Sequence, residues 1–213
     1  MEHNRDGKLL YHFTDISNLP GIFSFGLMSR AALNRSHLNF SDNANHEILS
    51  KRANFLINGD KRIDLAECVP FHFKAKTPFD YALVHKASLN IENLVYITIP
   101  RTLAAQNPEY FFVIPRHPVS SNPPILPYNE GIQQVLWDDL DNRSPDSFLD
   151  HQKNINRMAE CIALRTIRAE EFLSIYVYSE TTAIKVNDLR YHYSPMANFY
   201  INVNPNMFPS IKR

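Results

Sequence analysis

LLYHFTDISNLPGIFSFGLMSR, residues 9–30, changes character halfway along. LLYHFT reads as a strand, in which His12 and Thr14, two residues apart, share one face. A turn follows, then a helix that the pattern starts near Asn18 and stops at Gly26, a residue that ends helices readily. Asp15 and Ser17 are candidate caps, because their side-chain oxygens can accept from the free amides of a first turn. A strand feeding straight into a short helix predicts a mixed α+β chain.

The same kinds of signal continue outward. Residues 31–65 lack clean periodicity and predict a long, partly helical loop, while CVPFHF at 68–73 reads as a buried strand. PFDYALVHKA suits a helix opening on Pro78. LVYITI (94–99), YFFVI (110–114), SIYVYS (174–179) and FYINVN (199–204) are β-branched and aromatic, hence strands. Residues 115–131 hold five prolines and predict a loop. A helix is expected around Trp137, and another from about Asp150 to Leu164. With no repeats or low-complexity tracts, the expectation is one α+β domain over residues 1–213, with a sheet core.

Composition narrows the classes. Of 213 residues, 44% are hydrophobic and 21% charged, which excludes wholesale disorder. No apolar run approaches the ~20 residues that span a bilayer, and MEHNRDGKLL lacks the apolar core of a secretory signal. Cys68 and Cys161 are far apart in apolar surroundings, so neither a disulfide framework nor a metal site is expected, and a cytoplasmic setting is. The 22 basic and 22 acidic residues cancel, which argues against coating nucleic acid by bulk charge but not against holding a short strand.

No G-x-G-x-x-G, P-loop, H-E-x-x-H or Cys-x-x-Cys motif occurs, and five glycines leave little for a phosphate cradle of backbone amides. Three places can carry chemistry. His12 and Thr14 could hydrogen-bond a ribose or carboxamide, or be polar positions of a half-buried strand. Arg52, beside Lys51, is either a solvated charge on a helix or a planar clamp for phosphate or a base edge. Glu160 lies in the apolar stretch INRMAECIAL (155–164), either paired with Arg157 three residues earlier or reserved for catalysis.

At these residues the chain resembles the DarT family, the DNA ADP-ribosyltransferase toxins of DarT–DarG toxin–antitoxin systems. YHFTDISNLPGIFSFGLMSR is similar to the family's H-x-T strand, N-L-x-x-I and G-L elements. LAECVPFHFKAKTPFDYAL is similar to its V-P-F-Y-F-x-P-R-S-P-M block. FFVIPRHPV resembles the stretch carrying a family histidine, at His117, and LWDDL with RMAECIAL resembles the tryptophan helix and the R-x-A-E segment.

The resemblance implies an ADP-ribosyltransferase fold, a split mixed β core with NAD in the central cleft, and no metal. It implies that His12 and Thr14 contact the nicotinamide half of NAD, that Gly26 and Leu27 line the adjoining pocket, that Arg52 is the active-site arginine and Glu160 the catalytic glutamate. Lys76 stands where the family has arginine and Phe79 where it has methionine, a point charge for a fork and a larger pocket wall beside the substrate. Breaking the nicotinamide–ribose bond develops positive charge that Glu160 would stabilise. Arg52 would stabilise a deprotonated base while Glu160 or His117 takes its proton. An unstacked base is needed, so single-stranded DNA is the expected substrate, thymine before guanine, with Phe40 and Phe55 as stacking surfaces. The implied partner is a macrodomain antitoxin, DarG-like, with the enzyme itself a monomer. Two readings compete: an RNA or protein acceptor on the same fold, and a catalytically silent nucleic-acid-binding module.

Overall fold

The computed structural model describes residues 3–38, 40, 55–57, 61–85, 89–118, 123–142 and 144–210. Ten strands occur there: β1 (Leu9–Asp15), β2 (Phe55–Ile57), β3 (Lys61–Ile63), β4 (Val69–His72), β5 (Leu94–Pro100), β6 (Phe111–Ile114), β7 (Leu126–Pro127), β8 (Glu160–Ala163), β9 (Ser174–Val177) and β10 (Tyr200–Val203). Eight form one mixed sheet in the order β10-β9-β5-β1-β4-β8-β6-β7, and β2 and β3 pair separately. All neighbours in the large sheet are antiparallel except β10 and β9.

The opening folds as its pattern predicts. β1 gives way to a helix, Leu19–Phe25, stopped by Gly26 at φ 90°. Asp15 does cap, accepting from the Ser17 amide, whereas Ser17 does not: Asn18 takes the position before the helix. The Pro78–His85 and Trp137–Asp141 helices also lie where expected.

Other segments depart from expectation. Within 31–65 the described residues form a helix, Arg30–Arg35, and the β2–β3 hairpin. The proline-rich stretch holds the two-residue β7 and a short helix, Tyr128–Gly131, since proline is tolerated at a sheet edge and before a first turn. A helix spans Glu180–Tyr193 between β9 and β10, capped by Ser179; its sequence lacks the apolar stripe that would have announced it. The helix expected from Asp150 to Leu164 stops at Asn156, and Glu160–Ala163 is a strand. Those four residues are buried because β4 and β6 flank them on both sides, which makes a central strand apolar throughout.

Both faces of the sheet are covered. Leu10, Phe71, Val95, Ile97, Val113 and Cys161 point into the main core, closed by helix residues such as Leu19, Phe23 and Val186. Tyr11, Phe13 and Tyr96 point the other way, against Val84, Ile91 and Phe208. Cys68 and Cys161 are both buried and form no disulfide, and burial pushes the Cys161 thiol up from its ordinary value. No helix among the described residues is long and apolar enough to cross a membrane.

Candidate active site

The sheet has a seam. β1 runs beside β5 for seven Cα pairs, Leu9↔Pro100 to Asp15↔Leu94, but meets β4 in one, Tyr11↔His72. Carbonyls left over where a ladder stops need donors. Side chains supply them here. On one side of Tyr11, the His12 ring Nδ1–H donates to Pro70 O at 2.8 Å. On the other, buried Arg101 joins the two strands, Nε to Leu9 O at 3.1 Å and Nη2 to Phe73 O at 3.1 Å, stacked on Phe73 and Trp137.

Register threads one row of residues across six strands: Ser174, Thr98, Tyr11, His72, Glu160, Ile114. Directly opposed residues point to the same face. His72 therefore stands beside Glu160, which is buried at 2% exposure. The His72 Nδ1–H donates to Ala159 O at 3.3 Å, one peptide before Glu160, and the Phe79 ring lies 6.5 Å from the His72 ring. Alternation sends His12 and Thr14 to the opposite face. The two sets meet only at the seam.

Arg157 is not the partner of Glu160. It is almost fully buried, and its five N–H donors reach Asp139 O, Ser147 O, Asn154 Oδ1, Asn142 O and Ser147 Oγ at 2.6–3.0 Å. The helix ends before Arg157, so the three-residue spacing that would align the two side chains is never helical. Arg157 instead anchors the turn that delivers the chain into β8.

The remaining predicted positions fall as follows. Burial holds His12 down at about 4, against the Pro70 carbonyl, which raises it, with the His72 charge also lowering it. The ring is neutral near pH 7, with Nδ1 protonated and Nε2 an acceptor. Thr14 is buried and its Oγ1 accepts from Asn18 Nδ2 at 3.1 Å. A Cβ on Gly26 would sit 2.5 Å from Thr166 Cγ2. Leu27 is buried, and its backbone exchanges both bonds with Ile167, at 2.7 and 3.1 Å, which pins this segment to the chain leaving β8. His117 is half-buried three residues past Ile114, its amide donating to Ile155 O at 2.9 Å. Lys76 adopts φ 59° and its amide donates to Tyr96 Oη at 3.2 Å. Arg52 lies outside the described residues.

Two neighbours escaped the sequence pattern. His72 faces Glu160, and the alternation of VPFH was the available signal. Asp80 is buried in a reciprocal box with Thr77, its Oδ2 accepting from the Thr77 amide at 2.8 Å and from Tyr96 Oη–H at 2.9 Å. Its second oxygen is buried without a hydrogen-bond partner. Burial raises the Asp80 carboxyl above its usual range, opposed by the His72 charge. The T-x-x-D spacing of TPFD is the signature of that box. Among the described residues, no group of three or more His, Cys, Asp or Glu could hold a metal ion.

The family model described as "ssDNA thymidine ADP-ribosyltransferase, DarT" matches residues 11–209. No curated protein matches the chain by sequence. Among solved structures, Thermus sp. 2.9 DarT in complex with ADP-ribosylated ssDNA is similar with a TM-score of 0.81 and 19% identity, over 95% of this chain and 96% of that one. Thermus sp. 2.9 DarT in complex with NAD+ has a TM-score of 0.78 at 19% identity, covering 95% and 98%. Thermosipho africanus DarTG in complex with ADP-ribose has a TM-score of 0.75 at 22% identity, covering 95% of this chain and 51% of that one.

Proposed function

The chain belongs to the DarT family of ssDNA thymidine ADP-ribosyltransferases, and from that premise we propose that NAD binds across the seam between β1 and β4, with Glu160 as the catalytic carboxylate. The observation that carries this reading is the single Tyr11↔His72 pair, at which the β1–β4 ladder stops, with His12 on one face of the sheet and Glu160 on the other. A neutral His12 suits the nicotinamide half of NAD, because Nε2 can accept from a carboxamide N–H without repelling the positively charged ring. Thr14 adds a hydroxyl on the same face, and Gly26 and Leu27 form the adjoining wall.

Glu160, held in a buried strand end, stabilises the positive charge that grows on the ribose as its bond to nicotinamide breaks. Nicotinamide leaves with the bonding electrons. The ring nitrogen of thymine bonds to the same ribose carbon and gives its proton to Glu160 or His117. Arg52 stabilises the base anion, and Lys76 and Phe79 border the base. The substrate is single-stranded because a stacked base cannot reach a site at sheet depth. In the cell we assign the enzyme to the cytoplasm, as a monomeric toxin opposed by a macrodomain antitoxin of the DarG type.

The test is incubation with NAD and single-stranded oligonucleotides that each lack one base type, followed by mass spectrometry. Addition of one ADP-ribose should vanish only when thymine is removed. Modification that survives without thymine and disappears without guanine overturns the base assignment; no modification of any strand overturns the reaction.

A further inference from the structure

Arg116 is a half-buried cation without an anion. It lies two residues beyond Ile114, which pairs with Glu160, and it precedes His117, whose amide is fixed to Ile155 O. Its Nε is buried without a hydrogen-bond partner, and the rest of its guanidinium meets no acceptor among the described residues. Other arginines that leave the solvent are differently placed. Arg101 bonds three carbonyls, Arg157 makes five bonds, Arg165 grips Glu171 with two, and Arg190 reaches Phe199 O and Asn187 Oδ1.

A guanidinium is a permanent cation, and withdrawing one of its N–H groups from water with nothing to accept it is unfavourable. An acceptor arriving with the substrate would offset that cost. We propose that Arg116 receives a phosphate of the bound substrate at the Glu160 end of the seam. The inference rests on the reading above that this seam takes NAD and single-stranded DNA, and both ligands carry phosphate. Planar guanidinium donors match two phosphate oxygens, which a lysine cannot do. With zero net charge on the chain, one such local contact is also how a strand could be held without a basic surface.

The source of the phosphate is separable by experiment. Dissociation constants for NAD alone and for oligothymidine alone are measured over a salt series with the full-length wild type, Arg116→Gln and Arg116→Lys. Arg116→Gln should weaken one ligand about tenfold and spare the other. Loss of a strand contact lowers the slope of log affinity against log salt by about 0.7; loss of a pyrophosphate contact weakens NAD and leaves that slope unchanged. Arg116→Lys should fall between, keeping charge but not the fork, and it carries the test if the Gln variant does not fold. Unchanged affinity for both ligands and an unchanged slope in a folded Arg116→Gln protein overturn the inference and leave the functional reading standing. A wild type that binds neither ligand overturns the functional reading, and the inference with it.

Discussion

β1 is joined to β5 by seven Cα pairs and to β4 by one. The half-sheet β10-β9-β5-β1 is knit by backbone, with Thr98 and Ser174 hydroxyls bonded to each other at 2.8 Å in its middle. The half-sheet β4-β8-β6-β7 holds Glu160 and His72; the segments joined to its strands hold Lys76, Arg116, His117 and Arg157, and the Pro78–His85 helix holds Phe79. What differs is where backbone groups find partners. Within each half-sheet the ladder supplies them. At the seam side chains must supply them, so polar and charged groups collect where the sheet is least continuous. Stability and chemistry are thereby assigned to neighbouring residues.

The sharpest way to break that comparison uses Glu160 and Arg157, three residues apart. Glu160→Ala should fold with near wild-type stability and lose transfer by about 10²–10³. Arg157→Ala strips donors from five acceptors in a buried turn and should cost on the order of 3–5 kcal/mol of unfolding free energy. Whatever fraction of that variant remains folded should transfer at a near-normal rate. Urea unfolding and single-turnover transfer on both variants check the pair. A stable, inactive Arg157→Ala would mean that Arg157 acts on Glu160 after all.

A smaller effect sharpens the role of His12. Its folded-state value is held at about 4 against 6.5 unfolded. The native ring is neutral and the unfolded ring takes up a proton first, so this contribution is complete above pH 6.5 and is lost as pH falls from 6.5 to 4. Its size is at most about 3 kcal/mol. Stability of the wild type should decline through that window, and His12→Gln should flatten the decline. Equal slopes for the two proteins would show that burial does not hold the His12 ring neutral.

Much of this was legible beforehand, for reasons particular residues make plain. LLYHFT, VPFH and LVYITI announce strands because branched and aromatic residues repeat there, and Gly26 stops a helix because only a residue without Cβ fits beside Thr166. The stretch 155–164 misleads. Ile155, Met158 and Ile162 have helical spacing, yet β8 takes over at Glu160 because β4 and β6 flank it, and the partners of Glu160 lie 88 residues away at His72 and 46 away at Ile114, which no local window contains. The fate of Arg157 is hidden likewise: its acceptors at Asp139, Asn142 and Ser147 lie 18, 15 and 10 residues earlier, beyond the helix that precedes it. Alternation along LLYHFT puts His12 and Thr14 on one face, but that Glu160 lies on the other follows only from register across the seam.

The central claim is that one ligand bridges the two half-sheets, and hydrogen exchange tests it most directly. Amide exchange is followed with and without a non-reactive NAD analogue. The account predicts added protection on both sides of the seam, in residues 9–15 and 26–28 and in residues 159–163, with no change in the open groove between the Glu180–Tyr193 helix and β10, lined by Ile184, Asn187, Ile201 and Val203. Protection confined to that groove, or to one half-sheet alone, would contradict it.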